Sequence, residues 1–267
     1  MTALFSRGGR LAFLGLLALF LAAPLVIVAA ISFNGSARMT FPPEDLGPRW
    51  YATFFTDAAW VAAFNRSLLI AAFSSLLATS VALPIAYAQW KNGSGFARLL
   101  AGLGGVPFLL PPVIIAVLFL LFWGTIQHVG RIENTVISHA VTFVAIPLVL
   151  ITLGFASVDR EMVEAATTMG AREGDVLRTV VMPIVMPFVA SGMIFAAILS
   201  LNEYLIAFMV AGFTVETLPV KVFAAMRTGF TPTMCVGAVL FALVGLAGFL
   251  IIAWLGDLPK LLGGRAR

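Results

Sequence analysis

Long apolar stretches alternate with short polar ones along this chain, and the apolar stretches have membrane length. An uncharged run opens after Arg7 and Arg10 and lasts until Arg38. A bilayer-crossing helix takes about 20 apolar residues, whereas the apolar region of a cleaved signal peptide has only about 7–15. The run therefore predicts an uncleaved first span over residues 11–33. Further runs predict spans at 67–90, 99–126, 135–157, 183–211 and 233–255, six in all. Lipid offers no partner for a backbone N–H or C=O, so each span is expected to be helical. The expectation is an all-α membrane protein with one transmembrane domain over residues 1–267.

The polar intervals carry further structure. The longest, about residues 34–65, contains FPPEDLGPRW and the amphipathic piece WYATFF. Its prolines argue against one long helix, and its aromatics suit the headgroup level. The next longest runs from Asp159 to Pro183, DREMVEAATTMGAREGDVLRTVVMP, within a loop at 158–182. A plain connector needs only a handful of residues. Asp159 is placed to cap a helix whose first turn holds Glu161, where an acid suits the positive end of the dipole. Met162, Ala165, Ala166 and Met169 recur at three- and four-residue spacing and predict a small apolar face. Gly170 is where this helix should end, since glycine takes the left-handed cap conformation cheaply. A second helical pattern follows through Val176, Leu177 and Val180 to Met182-Pro183. A short amphipathic helix of this kind, with alanines that permit close approach, is suited to lie in another protein's groove.

Composition agrees with the pattern. The chain is 61% apolar and 10% charged, with a mean hydropathy of +1.06; a soluble domain has roughly 25% charged residues. The net charge of +4 is spread over segment ends, which argues against a nucleic-acid surface. The single Cys235 excludes an internal disulfide and any cysteine-based metal cluster. With six spans the termini share a side with Lys91, Arg98, Arg160, Arg172 and Arg178, ten basic residues in all. The other side holds six: Arg38, Arg49, Arg66, Arg131, Lys221 and Arg227. The bias makes the termini and the 158–182 loop cytoplasmic.

Within the spans two features stand out. Pro111 and Pro112 lie near the middle of the third span, where two missing backbone donors bend or break a helix. Broken helices at membrane depth are tolerated where they line a cavity, as at transporter substrate sites, though an ordinary packing kink is the plain alternative. Glu203 is the one acid well inside a span, within SLNEYLIAF. A buried charge needs a polar interior and a partner. It is expected either to counter a cationic substrate, with Asn202 and Tyr204 as hydrogen-bonding neighbours, or to pair structurally with Lys221 or Arg227. His139 reads as a packed or hydrogen-bonded residue and His128 as a loop residue. No metal-ligand spacing and no hydrolase elbow is present, and no GxxxxGK[ST] phosphate loop. Any ATP that drives this protein is bound by a separate subunit.

The 159–183 interval resembles a family signature. Binding-protein-dependent ABC importer permeases carry Glu-Ala-Ala, three residues, Gly, nine residues, then Ile-x-Leu-Pro in a cytoplasmic loop. Glu164-Ala165-Ala166, Gly170 and Val180-x-Met182-Pro183 stand at that spacing, with Val for Ile and Met for Leu. ISFNGS, SLNEYLIAFMVAG and LPVKVFAAMRTGFTP are similar to the spermidine/putrescine branch, and to the second of its two permease subunits. Where that branch usually has a pair of acids, Asn202 precedes Glu203 here.

The resemblance implies a type I ABC importer permease fold in a bacterial inner membrane. Its cytoplasmic coupling helix would contact the ATPase through Glu164, Ala165, Ala166, Met169, Gly170 and Arg172. A pathway would be lined by Pro111, Pro112, Asn202, Glu203 and Tyr204. The implied companions are an ABC ATPase dimer, a second permease forming a heterodimer, an extracytoplasmic solute-binding protein and the surrounding lipid. The implied role is transport rather than catalysis, without a cofactor, of a polyamine. Gamma-aminobutyrate, an opine, a phosphonate, thiamine or ferric iron are the alternative solutes. An ATP-independent secondary carrier would explain the broken span and Glu203, but not the spaced loop.

Overall fold

A computed structural model describes residues 7–255. Apart from an isolated β-bridge between Asn34 and Leu46, every regular element among them is helical. In order these are α1 (Arg7–Ser32), α2 (Arg49–Thr56), α3 (Ala58–Asn92), α4 (Gly95–Leu109), α5 (Pro112–Thr125), α6 (Ile132–Phe143) and α7 (Ala145–Ala156). There follow α8 (Arg160–Thr168), α9 (Glu173–Val176), a π-helical turn at Leu177–Val181, α10 (Met182–Asn202), α11 (Leu205–Ala211), α12 (Leu218–Thr228) and α13 (Thr233–Leu255). Lys260, Arg265 and Arg267, counted above among the cytoplasmic charges, lie outside the described residues.

Four continuous helical stretches are long and apolar enough to cross a membrane: Gly8–Ser32, Ala58–Asn92, Glu173–Asn202 and Thr233–Trp254. Two more crossings come from bent pairs, α4 with α5 at 112° and α6 with α7 at 45°. The span expected over 99–126 is therefore not one rod. Neither Pro111 nor Pro112 has an N–H, so α4 ends at Leu109 and α5 starts afresh at Pro112. The gentler bend at Val144 has the same cause, because Pro147 cannot donate to the carbonyl of Phe143 one turn back. The span expected over 183–211 is also interrupted. Its helix runs on from the 158–182 loop without a gap, stops at Asn202 and resumes at Leu205, with Glu203 extended (φ −76°, ψ 129°) between. Residues 212–232, between the last two expected spans, contain α12.

Contacts group the chain into two compact units. The first takes α1, α2 and the chain up to Val61, with Val222–Leu243. In it the polar loop after α1 is tied down locally. The Trp50 indole N–H donates to the Asn34 carbonyl at 2.6 Å, and the Ser32 and Tyr51 hydroxyls meet at 2.9 Å.

The second unit, Ala62–Lys221 with α13 from Val244 on, holds every candidate site residue. Its core joins α3, α6, α7 and the start of α10 through Ala78, Ala82, Ala86, Ala140, Ile151, Phe155, Val181 and Val185. Small residues let helices approach closely where lipid supplies no hydrophobic drive. Gly192 of α10 is the clearest case, since a Cβ there would lie 2.7 Å from the Pro147 Cα of α7.

Candidate functional site

Two constellations in the second unit use the candidate residues. The first is the polar loop between α7 and α10. Asp159 caps α8 as expected, its carboxylate accepting the Glu161 N–H at 2.9 Å. At the other end Gly170 has φ +87°, a left-handed conformation that costs most residues free energy. There the Gly170 N–H reaches the Thr167 carbonyl (2.9 Å) and the Ala171 N–H the Ala166 carbonyl (3.1 Å). This is the paired closure of a Schellman cap, which needs such a residue at its turning point.

The helix between these caps leaves most of its expected apolar face uncovered. Val163 and Ala166 pack inward on the core formed by α3, α7 and Val176. Met162 and Ala165 are exposed instead, and Met169 is 82% exposed. The reason is that α8 lies on the protein through the Val163–Ala166 edge and turns its methionines outward. Glu164, Gly170 and Arg172 are exposed as well. Five of the six coupling candidates are thus exposed, and Ala166 is partly covered. Beneath α8 lies a cavity of about 280 Å³ lined by Tyr87, Trp90, Val163, Glu164, Val176 and Leu177, among others. Trp90 stacks on Phe155 with centroids 5.4 Å apart. At the rim the Lys91 ammonium donates to Glu173 at 2.6 Å, joining the end of α3 to the start of α9.

The second constellation surrounds the break after α10. Pro112, Asn202, Glu203 and Tyr204 line one cleft of about 500 Å³, together with Pro107, Phe108, Thr142, Phe143 and Leu199. Pro111 is not among the lining residues; it caps α5, and its carbonyl accepts the N–H groups of Ile114 and Ile115. Asn202 is exposed and donates to its own helix at Ile198 O (2.8 Å), while Tyr204 stacks on Phe208.

Lys221, one expected partner of Glu203, is bonded to Glu216 at 3.2 Å. The Glu203 carboxylate instead accepts the N–H groups of Ile206 (2.8 Å) and Ala207 (3.0 Å), capping α11. Its third donor is His139 Nε2 at 3.1 Å. An ionised carboxylate only accepts, so Nε2 carries a proton. The Ser74 hydroxyl donates to Ser200 Oγ (3.0 Å), which lies 2.7 Å from His139 Nδ1. One chain of contacts links α3, α10, α6 and the break. His139 is 1% and Glu203 11% exposed. The sequence reads His139 as packed or hydrogen-bonded and does not connect it to Glu203, 64 positions away.

Comparison with known proteins fits this geometry. Residues 1–258 match the family model described as binding-protein-dependent transport system inner membrane component. The chain is 30% identical over 247 residues to the putrescine transport system permease protein PotI of Escherichia coli, covering 88% of this chain and 85% of that one. It is 28% identical over 243 residues to the spermidine/putrescine transport system permease protein PotC of Haemophilus influenzae, covering 89% and 92%. Its fold matches a chain in the crystal structure of a bacterial ABC transporter involved in the import of the acidic polysaccharide alginate. The TM-score there is 0.66 and the identity 19%, over 94% of this chain and 97% of that one. A family match of this extent, on a helical chain with several membrane-length segments, makes the protein a multi-pass permease subunit belonging to the inner membrane components of binding-protein-dependent ABC import systems.

Proposed function

We propose that the chain is a permease subunit of a polyamine importer, moving a putrescine- or spermidine-like cation through the cleft at Glu203. The observation that carries this reading is the convergence of Pro112, Asn202, Glu203 and Tyr204, from two interrupted spans, on one cleft. Among the described residues no group of three or more His, Cys, Asp or Glu side chains is placed to hold a metal ion, which favours an organic cation over ferric iron. PotI and PotC, by their names, serve putrescine and spermidine.

Power would come from outside the chain. An ATPase dimer would dock on the exposed face of α8, at Glu164, Ala165, Met169, Gly170 and Arg172. Closure of the ATPases would move α8, and the Lys91–Glu173 contact would pass that motion to α3. A second permease would complete the pathway, and an extracytoplasmic binding protein would deliver the solute. Nucleotide binding would then shift the population between inward- and outward-open states. Both termini would be cytoplasmic, which requires α4 and α5 to count as one crossing despite their 112° angle.

The test is ATP-dependent uptake of labelled putrescine and spermidine by membrane vesicles carrying this chain with its ATPase, partner permease and binding protein. Saturable uptake that excess unlabelled polyamine suppresses supports the reading. Uptake of another solute class, untouched by polyamines, overturns it.

A further inference from the structure

The cleft beside Glu203 has an unusual balance of hydrogen-bonding groups. A backbone at membrane depth normally satisfies itself, because lipid cannot. Here three cleft residues have carbonyls deprived of the usual donor four positions on. For Phe108 that donor would be Pro112, which has no N–H. For Phe143 it would be Pro147, which has none either. For Leu199 it would be Glu203, whose N–H turns to Ser200 O at 3.3 Å instead. Each of the three helices α4, α6 and α10 therefore brings the acceptor-rich, negative end of its dipole to the cleft.

At the matching amide ends several donors are missing or engaged. The chain restarts at α5 with two prolines, and at α11 the Ile206 and Ala207 N–H groups are bound by the Glu203 carboxylate. The side chains follow the same rule. The Thr142 hydroxyl gives its proton to Ser138 O at 2.7 Å and keeps only acceptor capacity. Asn202 turns one amide N–H to Ile198 O at 2.8 Å, and its amide oxygen can accept. The rings of Phe108, Phe143 and Tyr204 complete the lining. The carbonyls and the aromatic faces both favour a cation.

We propose that this cleft is a binding site for a primary ammonium group, held by the orphaned carbonyls of Phe108, Phe143 and Leu199 and by aromatic faces. Glu203 serves as the fixed cap that silences the competing amides. An alkylammonium is a donor-only head on an apolar stem, which matches an acceptor-rich cleft with apolar walls. A carboxylate or phosphate would instead face these carbonyls and the negative helix ends. The assignment rests on the polyamine reading but moves the cation's main contacts from the Glu203 carboxylate to the backbone.

Substitution of the prolines tests it, since Pro112→Ala and Pro147→Ala each return an N–H to the carbonyl that lacks one. Binding of labelled putrescine is measured on the purified importer complex in nanodiscs, without binding protein, with butane-1,4-diol and succinate as competitors. The expected result is saturable binding that neither competitor displaces. In each variant the dissociation constant should rise about tenfold, the worth of a hydrogen bond to a charged group. Complex yield and melting temperature are measured alongside, and the two prolines lie on different helices, so a folding defect in one variant leaves the other to decide. Unchanged binding in a folded variant, displacement by succinate, or no saturable binding while uptake is intact overturns the ammonium site and leaves the importer reading standing. Binding without any polyamine uptake does the reverse.

Discussion

His139 Nε2 lies 3.1 Å from Glu203 Oε2, and this contact joins α6 to the break between α10 and α11. The two ionisable side chains each find the other as partner, and Ser200 and Ser74 extend the link to α3. His139→Leu removes a donor from Glu203 and strands Ser200. A buried polar group left without its partner costs about 1–3 kcal/mol. The purified complex should melt several degrees lower, as followed by a thermal-shift assay; an unchanged melting temperature would show that the link carries no structural weight.

Glu203→Gln keeps the side chain's shape but removes its charge and one of its two acceptors. Capping of α11 survives in part, so protein yield should stay within about twofold of wild type, while uptake of a cationic solute should fall about tenfold. Parallel uptake assays and quantitative blots measure the two. Equal losses of yield and uptake would assign Glu203 a purely structural role.

Gly170 turns the chain at the end of α8 with φ +87°. Gly170→Val places a β-branched residue in a region disfavoured by about 1–2 kcal/mol even for ordinary residues. The Schellman closure should open and α8 should shift. ATP hydrolysis by the assembled importer should then continue with uptake lowered at least about tenfold, and Glu164→Lys should do the same by changing the charge of the exposed face. Tight coupling of hydrolysis to uptake in both variants would remove α8 from the power train.

Gly192→Val tests the packing of the second unit. Its Cβ would meet the Pro147 Cα at 2.7 Å, and a backbone atom cannot move aside as a side-chain tip can. Overpacking of this kind costs about 1–3 kcal/mol. The variant should yield less monodisperse complex on size exclusion, and recovery of the wild-type profile would contradict the close approach of α7 and α10.

Sidedness can be read with thiol labels in a Cys235→Ala background. Gly47 and Gly174 have open space where a side chain would go. With α3, α4–α5 and α6–α7 each crossing once, Gly47→Cys should react with a membrane-impermeant maleimide from outside and Gly174→Cys only from the cytoplasm. Labelling of both from one side would mean that α4 and α5 dip into the membrane and return.

Much of this was legible from residue order because the signals were local. Asp159 and Gly170 are cap residues whose effect is confined to one helical turn, and they fall where the spacing placed them. Paired prolines at 111–112 announced a break, although not its 112° angle, which depends on packing. The interruption at Glu203 left no such mark, because it is held by bonds to the backbone of Ile206 and Ala207 and to a distant histidine. The covered edge of α8 was not legible for a similar reason. Val163 fits the same helical spacing as Met162, and only the core beneath decides which of them is covered.

The central claim is that α8 takes power from a nucleotide-hydrolysing neighbour. A photo-crosslinking amino acid at Met169, 82% exposed at the end of that helix, tests it in the assembled importer. The predicted product is an adduct with the ATPase subunit whose yield changes when ATP is added. Adducts only with lipid or with the extracytoplasmic binding protein would contradict it.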